Sequence, residues 1–373
     1  MSKNHTDALS TETMPLRRSL RLRQKNAPRH AELNVDSNHP DPEIPSKHKI
    51  EDVNYDHPDP ELPSKHNIDD VNYDHPDPEL PSKHNLDDPD LSMNDVRRGD
   101  YRANCLRPNG ICFRLPSDTL PHQVALLTND ILAGAPRPLV ETGAMMRELD
   151  ALGTYGCSEA AVQQCLFKGL FPMTLPPQLS TSYQRIIARH LIPAHPDAPC
   201  FLPLPRPDVL YGYNNLNAFT EAQQTTLNRV QPESWSYAQA TLEASFPFFI
   251  VELKAAAGTG GNLWDAINQC AGGAAGCLQA LGQLNTALDA AGCRGLLINV
   301  CYGLVIDNNL GQLYASWKDG SSVFYMQRVA SFLLSDAQHF SHLCACVAAI
   351  LRWGGIVRLR DIRVAADYIR GQR

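Results

Sequence analysis

Several things are scarce or missing in this 373-residue chain, and each absence narrows what it can be. No apolar stretch near the N-terminus resembles a secretory signal. The longest apolar run, Gly295 to Ile306, has 12 residues, includes Asn299 and is too short to cross a bilayer, so no membrane association is expected. The 11 cysteines all follow residue 104, are odd in number and lack regular spacing, so they do not read as a disulfide framework. Cys270, Cys277 and Cys301 sit in apolar company, where a free thiol behaves as a small buried hydrophobe; a reducing, intracellular setting is expected. A strong basic excess is missing too. Residues 1–100 hold 13 Lys+Arg and 21 Asp+Glu (−8), and residues 101–373 hold 20 and 19 (+1), so the net charge of −7 belongs to the first hundred residues. The remainder is not charged like a dedicated nucleic-acid binder, although a local basic patch can sit on a neutral domain. No Gly-x-Ser-x-Gly elbow, His-Glu-x-x-His pair or Cys–His nucleophile arrangement occurs.

What is present divides at about residue 100. Residues 1–100 are poor in aromatics and rich in Pro, Asp, His and Asn. Within them an 18-residue unit recurs three times across 39–92: HPDPEIPSKHKIEDVNYD from His39, HPDPELPSKHNIDDVNYD from His57 and HPDPELPSKHNLDDPDLS from His75. Its prolines remove backbone donors, and its few apolar residues bury too little surface to offset ordering. A stacked solenoid needs an apolar face that this unit lacks. The composition predicts a disordered acidic spacer; the His-Asp groupings also suit weak metal binding. Upstream, the segment 16–25 carries five basic residues in ten, the pattern of a nuclear-import signal, a phosphate-contacting arm or a generic basic tail.

Residues 101–373 read as a mixed α/β domain. Asn109-Gly110-Ile111 is a turn into an apolar segment, and Leu120 to Ala133 has Val124, Leu127 and Ile131 at helical spacing. Ser158 is a candidate N-cap. Strands are predicted at Val209–Tyr211, Phe246–Lys254, Leu296–Ile306, Gln312–Trp317 and Val323–Val329, the last three as a meander. The strongest helix runs from Asn262 to Leu284, with Trp264, Ile267, Cys270, Ala274, Cys277 and Leu281 on one apolar stripe, and a helical tail covers Asp336 to Ile369. Helices and strands interleaved in this way mean a sheet flanked by helices.

One strand carries the chemistry. Phe248 to Val251 is apolar throughout, as in a strand covered on both faces. Alternation then puts Phe248, Ile250, Glu252 and Lys254 on one side, so a buried face turns charged at its end. A buried carboxylate and ammonium are costly unless they pair or hold a metal. The alternative is a strand end reaching solvent, with Lys254 snorkelling. Asp208 opens a second apolar strand; two carboxylates and a nearby carbonyl suit Mg²⁺ or Mn²⁺.

Pro207-Asp208 followed by Glu252-Leu253-Lys254 resembles the PD-(D/E)XK nuclease superfamily, built on a restriction-endonuclease-like core. The resemblance implies Asp208 and Glu252 as metal ligands for Mg²⁺ or Mn²⁺, and Lys254 as the catalytic lysine. Gln269, on the helix after the lysine strand, matches a glutamine many members carry, and Glu159 matches an acid often supplied by a preceding helix. The wording PRPDVLYGY, FPFFIVELKAA, NQCAGGAA and YMQRV further resembles an uncharacterised fungal domain family over about residues 105–369. The implied function is divalent-metal-dependent hydrolysis of DNA or RNA; protein partners are left open by the sequence, and a nuclear location follows only from the Arg-rich run and such a substrate. The competing expectation is an inactive nuclease-like fold that serves as a protein or nucleic-acid interaction module. The 44-residue gap from Asp208 to Glu252 bears on this choice. It holds a predicted helix at Thr220–Leu227 and is either a substrate-facing excursion or a sign that the two strands are not neighbours.

Weaker groupings are Gly258-Thr-Gly-Gly261, a strand-to-helix turn lacking the rest of a nucleotide fingerprint, and His339, His342, Cys344 and Cys346, whose spacing fits no standard zinc pattern and points to packing. The small residues Gly272 to Gly276 within a helix require something to approach closely.

Overall fold

A computed structural model of the chain describes residues 96–134, 139–156, 158–172, 174–230, 239–255, 262–320 and 322–372. The basic segment 16–25, the repeats 39–92, Cys157 and the glycine run 258–261 lie outside the described residues.

Seven strands form one mixed sheet flanked by helices. They are β1 (Ile111–Arg114), β2 (Leu179–Tyr183), β3 (Val209–Asn214), β4 (Ala244–Leu253), β5 (Val300–Ile306), β6 (Leu310–Lys318) and β7 (Phe324–Leu333), in the spatial order β1-β7-β6-β5-β4-β3-β2. The β5-β6-β7 meander is antiparallel, as its turn sequences predict. β2-β3-β4 is a second antiparallel run, and β4 lies parallel to β5 at the centre. Every residue of β4 is buried, as its uninterrupted apolar stretch requires.

The helices are α1 (His122–Leu132), α2 (Leu139–Tyr155), α3 (Glu159–Gly169), α4 (Glu221–Asn228), α5 (Leu263–Ala290), α6 (Ala337–Arg352) and α7 (Leu359–Gly371), with the wider turns of a π-helix at Trp353–Arg358 joining the last two. Ser158 caps α3 by accepting from the Ala161 amide. α5 starts on a capping box in which Asn262 and Asp265 each accept the other's backbone N–H. It makes the crossover between the parallel strands β4 and β5. The two sheet faces separate at adjacent residues of β5: Gly303 meets the Cys270 side chain of α5, whereas the Tyr302 hydroxyl hydrogen-bonds Thr128 of α1 at 3.2 Å.

The small residues of α5 serve close packing. A Cβ on Gly273 would come within 3.0 Å of Ile250 in β4, and Pro205 and Ile187 of the β2–β3 connection lie 3.7 Å from it. The sheet and this connection are therefore the close neighbours that the sequence demanded.

Helix Ala337–Gly371, with a window of mean hydropathy 1.6, is long and apolar enough to cross a membrane; 56% of that window is buried inside the fold. The sequence does not suggest it, because polar residues interrupt the run. Its buried face packs on α1, α2 and β7.

Two expectations need correction. Cys105 and Cys200 are disulfide-bonded, although the cysteine spacing suggested free thiols; the pairing joins residues 95 apart in sequence, which no local pattern reveals. Trp264, placed on the core stripe of α5 by its spacing, is 38% exposed, because Arg102 lies over its ring at 3.5 Å instead of the core.

Candidate active site

The site forms at the end of β4, next to its parallel neighbour β5. In open α/β sheets this carboxyl end is where ligands bind. The β3–β4 register pairs Val209 with Val251. Asp208, one step outward, therefore lies across from Glu252, although 44 residues separate them in sequence. In the described part of the intervening stretch, helix α4, with a Thr220–Gln223 capping box, packs on α7 and hydrogen-bonds Asp367 through Gln223. The strands that this stretch connects are neighbours.

Asp208 is 7% exposed, and its Oδ2 accepts the Leu253 N–H at 2.7 Å. Burial raises its carboxyl above the usual range; the Leu253 amide and the nearby Lys254 charge partly oppose this. Glu252 is 3% exposed. Its carboxyl is raised well above the ordinary value, first by burial and then by the Asp208 charge, with Lys254 pulling the other way and Glu159 adding repulsion. Among the described residues none donates a hydrogen bond to the Glu252 carboxylate. Lys254 follows β4, continues the ladder through its N–H to Ile306, and is 8% exposed. Its Nζ lies 3.4 Å from Oε2 of Glu159, the first residue of α3.

Gln269 projects from the second turn of α5; its amide oxygen is buried and has no hydrogen-bond partner among the described residues. All five residues singled out from the sequence (Glu159, Asp208, Glu252, Lys254 and Gln269) line one cavity of about 220 Å³. His339, His342, Cys344 and Cys346 do not form a comparable cluster. His342 bonds the Leu132 carbonyl and packs edge-on against Phe332, His339 accepts the Leu333 N–H, and both cysteines are buried in the core. Among the described residues no three His, Cys, Asp or Glu side chains are grouped to hold a metal.

Sequence reasoning missed several walls of the cavity. Gln184 follows β2 with φ 48, a left-handed conformation uncommon outside glycine, and its N–H bonds the Asp208 carbonyl. Leu202 to Arg206 form another wall. Val96 and Tyr101 close a third; Asn268 of α5 donates to the Val96 carbonyl at 3.1 Å, and Arg102 Nε donates to the Asn268 oxygen at 2.7 Å. The chain is thus docked five residues before the boundary that composition suggested. The only sequence signal was Val96, an apolar residue at the end of a polar segment.

The fold and the site define a mixed α/β protein with a confined pocket of buried acids and one lysine at the end of a central strand. A model for the family described as Domain of unknown function (DUF7924) matches residues 153–366, and the chain belongs to that family. β1 and α1 precede the matched region. No curated protein and no solved structure matches the chain.

Proposed function

We propose that the protein is a divalent-metal-dependent nuclease of the PD-(D/E)XK type, hydrolysing phosphodiester bonds at the pocket of Asp208, Glu252 and Lys254. One observation carries the reading: Glu252 is buried beside a second carboxylate without a hydrogen-bond donor among the described residues, and a lysine stands next to it. A protein keeps such a costly group where it is used.

The donors fit Mg²⁺ or Mn²⁺, because they are hard oxygens: the Asp208 and Glu252 carboxylates and the unpartnered Gln269 amide oxygen. When bound, such an ion supplies Lewis-acid polarisation of a phosphoryl oxygen and acidifies water. The chain's own groups do the rest. The Leu253 amide holds Asp208 in one orientation. Lys254, held by Glu159, presents an ammonium that offsets charge accumulating on a phosphate and orients water. Gln269 offers its amide to a water or a phosphate oxygen. Burial excludes bulk solvent and strengthens each of these interactions.

The second reading, an inactive interaction module, also rests on one observation: Lys254 is already engaged by Glu159.

Incubating plasmid, single-stranded DNA and RNA with Mn²⁺ separates the two. Cleavage by wild type that falls at least about 100-fold in both Glu252→Ala and Lys254→Ala supports the nuclease. Cleavage surviving both substitutions removes the mechanism. No cleavage at all, with retained nucleic-acid or protein binding, establishes the interaction module.

A further inference from the structure

The geometry points to a single-stranded nucleic acid as the ligand of this pocket, held along the outer edge of the β2–β3 connection; this rests on the nuclease reading only for what happens to the strand once bound.

The connection folds back on itself. Arg206 Nε donates to the Gln184 carbonyl at 2.8 Å, the Ile187 amide to Pro205 at 2.9 Å, and Arg189 to the Leu202 carbonyl at 3.2 Å. Segments 184–189 and 201–206 therefore run side by side as one wall, whose inner side is part of the cavity lining. Its outer side is unusual for a soluble surface. Tyr183 is 55% and Phe201 61% exposed, with Ile186 exposed between them; Leu204 and Arg206, also exposed, reach the cavity lining. Arg185, Arg189 and Arg206 are exposed among these residues, and Arg189 lies 5.7 Å over the Phe201 ring.

Residues 183–206 hold three Arg against Asp197; Arg185 lies 3.8 Å from Glu243, which leaves Arg189 and Arg206 without an ion pair among the described residues. Exposed rings interleaved with arginines match bases that stack and phosphates that need cations.

The shape of the cavity chooses between strand forms. The two carboxylates are almost fully buried and line a cavity of about 220 Å³ whose other walls are proline-rich chain, Val96 and Tyr101. A duplex groove about 12 Å wide presents its phosphates on a rigid rod that cannot enter such a space. A single strand can bend a phosphodiester inward while its neighbouring bases rest on Phe201 and Tyr183.

The test uses the full chain carrying Glu252→Gln, with EDTA present, and follows the anisotropy of labelled 20-nucleotide DNA, RNA of the same sequence and the blunt DNA duplex. Single strands should bind about 10-fold or more tighter than duplex, and Phe201→Ala should weaken them at least about 5-fold. Arg189→Ala should lower the salt slope by about 0.7. The relative affinity of DNA and RNA reports whether the wall also senses the sugar. Because the Phe201 ring is solvent-exposed, its truncation leaves the fold intact, and circular dichroism verifies this. Equal or tighter duplex binding, or single-strand binding indifferent to both substitutions, overturns the proposal. So does Phe201-dependent binding to phosphatidylserine vesicles with no strand binding. Strand binding without Mn²⁺-dependent cleavage would sink the nuclease and leave this proposal standing. Cleavage of duplex without strand preference would do the reverse.

Discussion

The Oδ2 atom of Asp208 accepts the backbone N–H of Leu253 at 2.7 Å, across two strands whose residues there lie 45 apart in the chain. This bond stands beyond the last β3–β4 pair, Val209 with Val251, and fixes the Asp208 carboxylate next to Glu252. Asp208→Ala leaves a buried N–H unpaired and is expected to lower stability by roughly 1–3 kcal/mol. Asp208→Asn retains an acceptor oxygen and should cost less. Urea unfolding of both variants measures the difference. Equal losses would mean that the Leu253 bond is not what the carboxylate supplies to the fold.

Glu252 makes stability depend on pH in a defined direction. Its carboxyl is raised by burial and by Asp208, so the folded chain binds a proton more tightly than the unfolded chain. The contribution is fully present below the ordinary glutamate range and is lost as pH rises through the raised folded value. Glu252→Gln removes this loss. At neutral pH the variant should be more stable by roughly 1–3 kcal/mol, and the advantage should vanish near pH 4. Mn²⁺ should narrow the gap by stabilising wild type alone, because the cation favours the ionised carboxylate. Thermal melts from pH 4 to 8, with and without Mn²⁺, provide the comparison. A pH-independent difference would contradict the burial account.

β4 and its charged end were legible in the sequence, with four apolar residues in a row and then two charges in alternation, whereas the 44-residue gap left the meeting of Asp208 and Glu252 open. Glu159 and Gln269 came from the resemblance, as matches to an acid on a preceding helix and a glutamine on the helix after β4. β2 went unseen, since Leu179-Ser-Thr-Ser-Tyr183 has little apolar signal and is held by pairing with β3. α2 went unpredicted although Met145, Leu149 and Leu152 lie at helical spacing; Gly143, Gly153 and three acids dilute that stripe, and the helix packs on α3 and α6. The walls of the pocket were illegible because nothing local links residues 96–106 or 184–206 to α5. Arg102 depends on Trp264 and Phe113, and Gln184 on Asp208 and Arg206.

Arg102 is the clamp of the Val96–Leu106 segment. Its guanidinium lies 3.9 Å over Phe113 and 3.5 Å over Trp264, and Nε donates to Asn268. Burial pulls its pKa down to about 10, still fully protonated at neutral pH. Arg102→Ala should cost about 2–4 kcal/mol through two cation–π contacts and a charged hydrogen bond. Arg102→Lys should recover little of it, because an ammonium cannot stack flat between two rings. Hydrogen exchange should show faster exchange of the amides at 101–107 in both variants. Unchanged protection would remove Arg102 from this role.

The Cys105–Cys200 bond joins the same segment to the β2–β3 connection, so two walls of the pocket share one covalent link. Closing a loop of 95 residues is expected to stabilise the chain by about 2–5 kcal/mol. Wild type should therefore melt lower in dithiothreitol, and Cys200→Ser should melt at the reduced temperature in either condition. A wild-type melt indifferent to reductant would show that the thiols are not bonded in solution. Substrate access should follow the same dependence, since reduction frees the wall that carries Val96 and Tyr101.

Lys254 and Glu252 provide the sharpest check on the shared pocket, because their relationship is testable without any substrate. Lys254 draws down the raised carboxyls of both Asp208 and Glu252, so removing it strands two buried acids without their cation. In Lys254→Ala stability at neutral pH should fall by roughly 1–3 kcal/mol, because two buried carboxyls lose the nearby cation that offsets them. In a Glu252→Gln background one of the stranded charges no longer exists, and the same substitution should cost less. A double-mutant cycle on unfolding free energy is therefore expected to return a coupling of about 0.5–3 kcal/mol between the two positions. The coupling should shrink toward pH 4, where the carboxyls take up protons, and persist in high salt, because the pair is buried away from screening ions. Additive effects at neutral pH would mean that the two charges do not sense each other, and a pocket in which they act together would then have no physical basis.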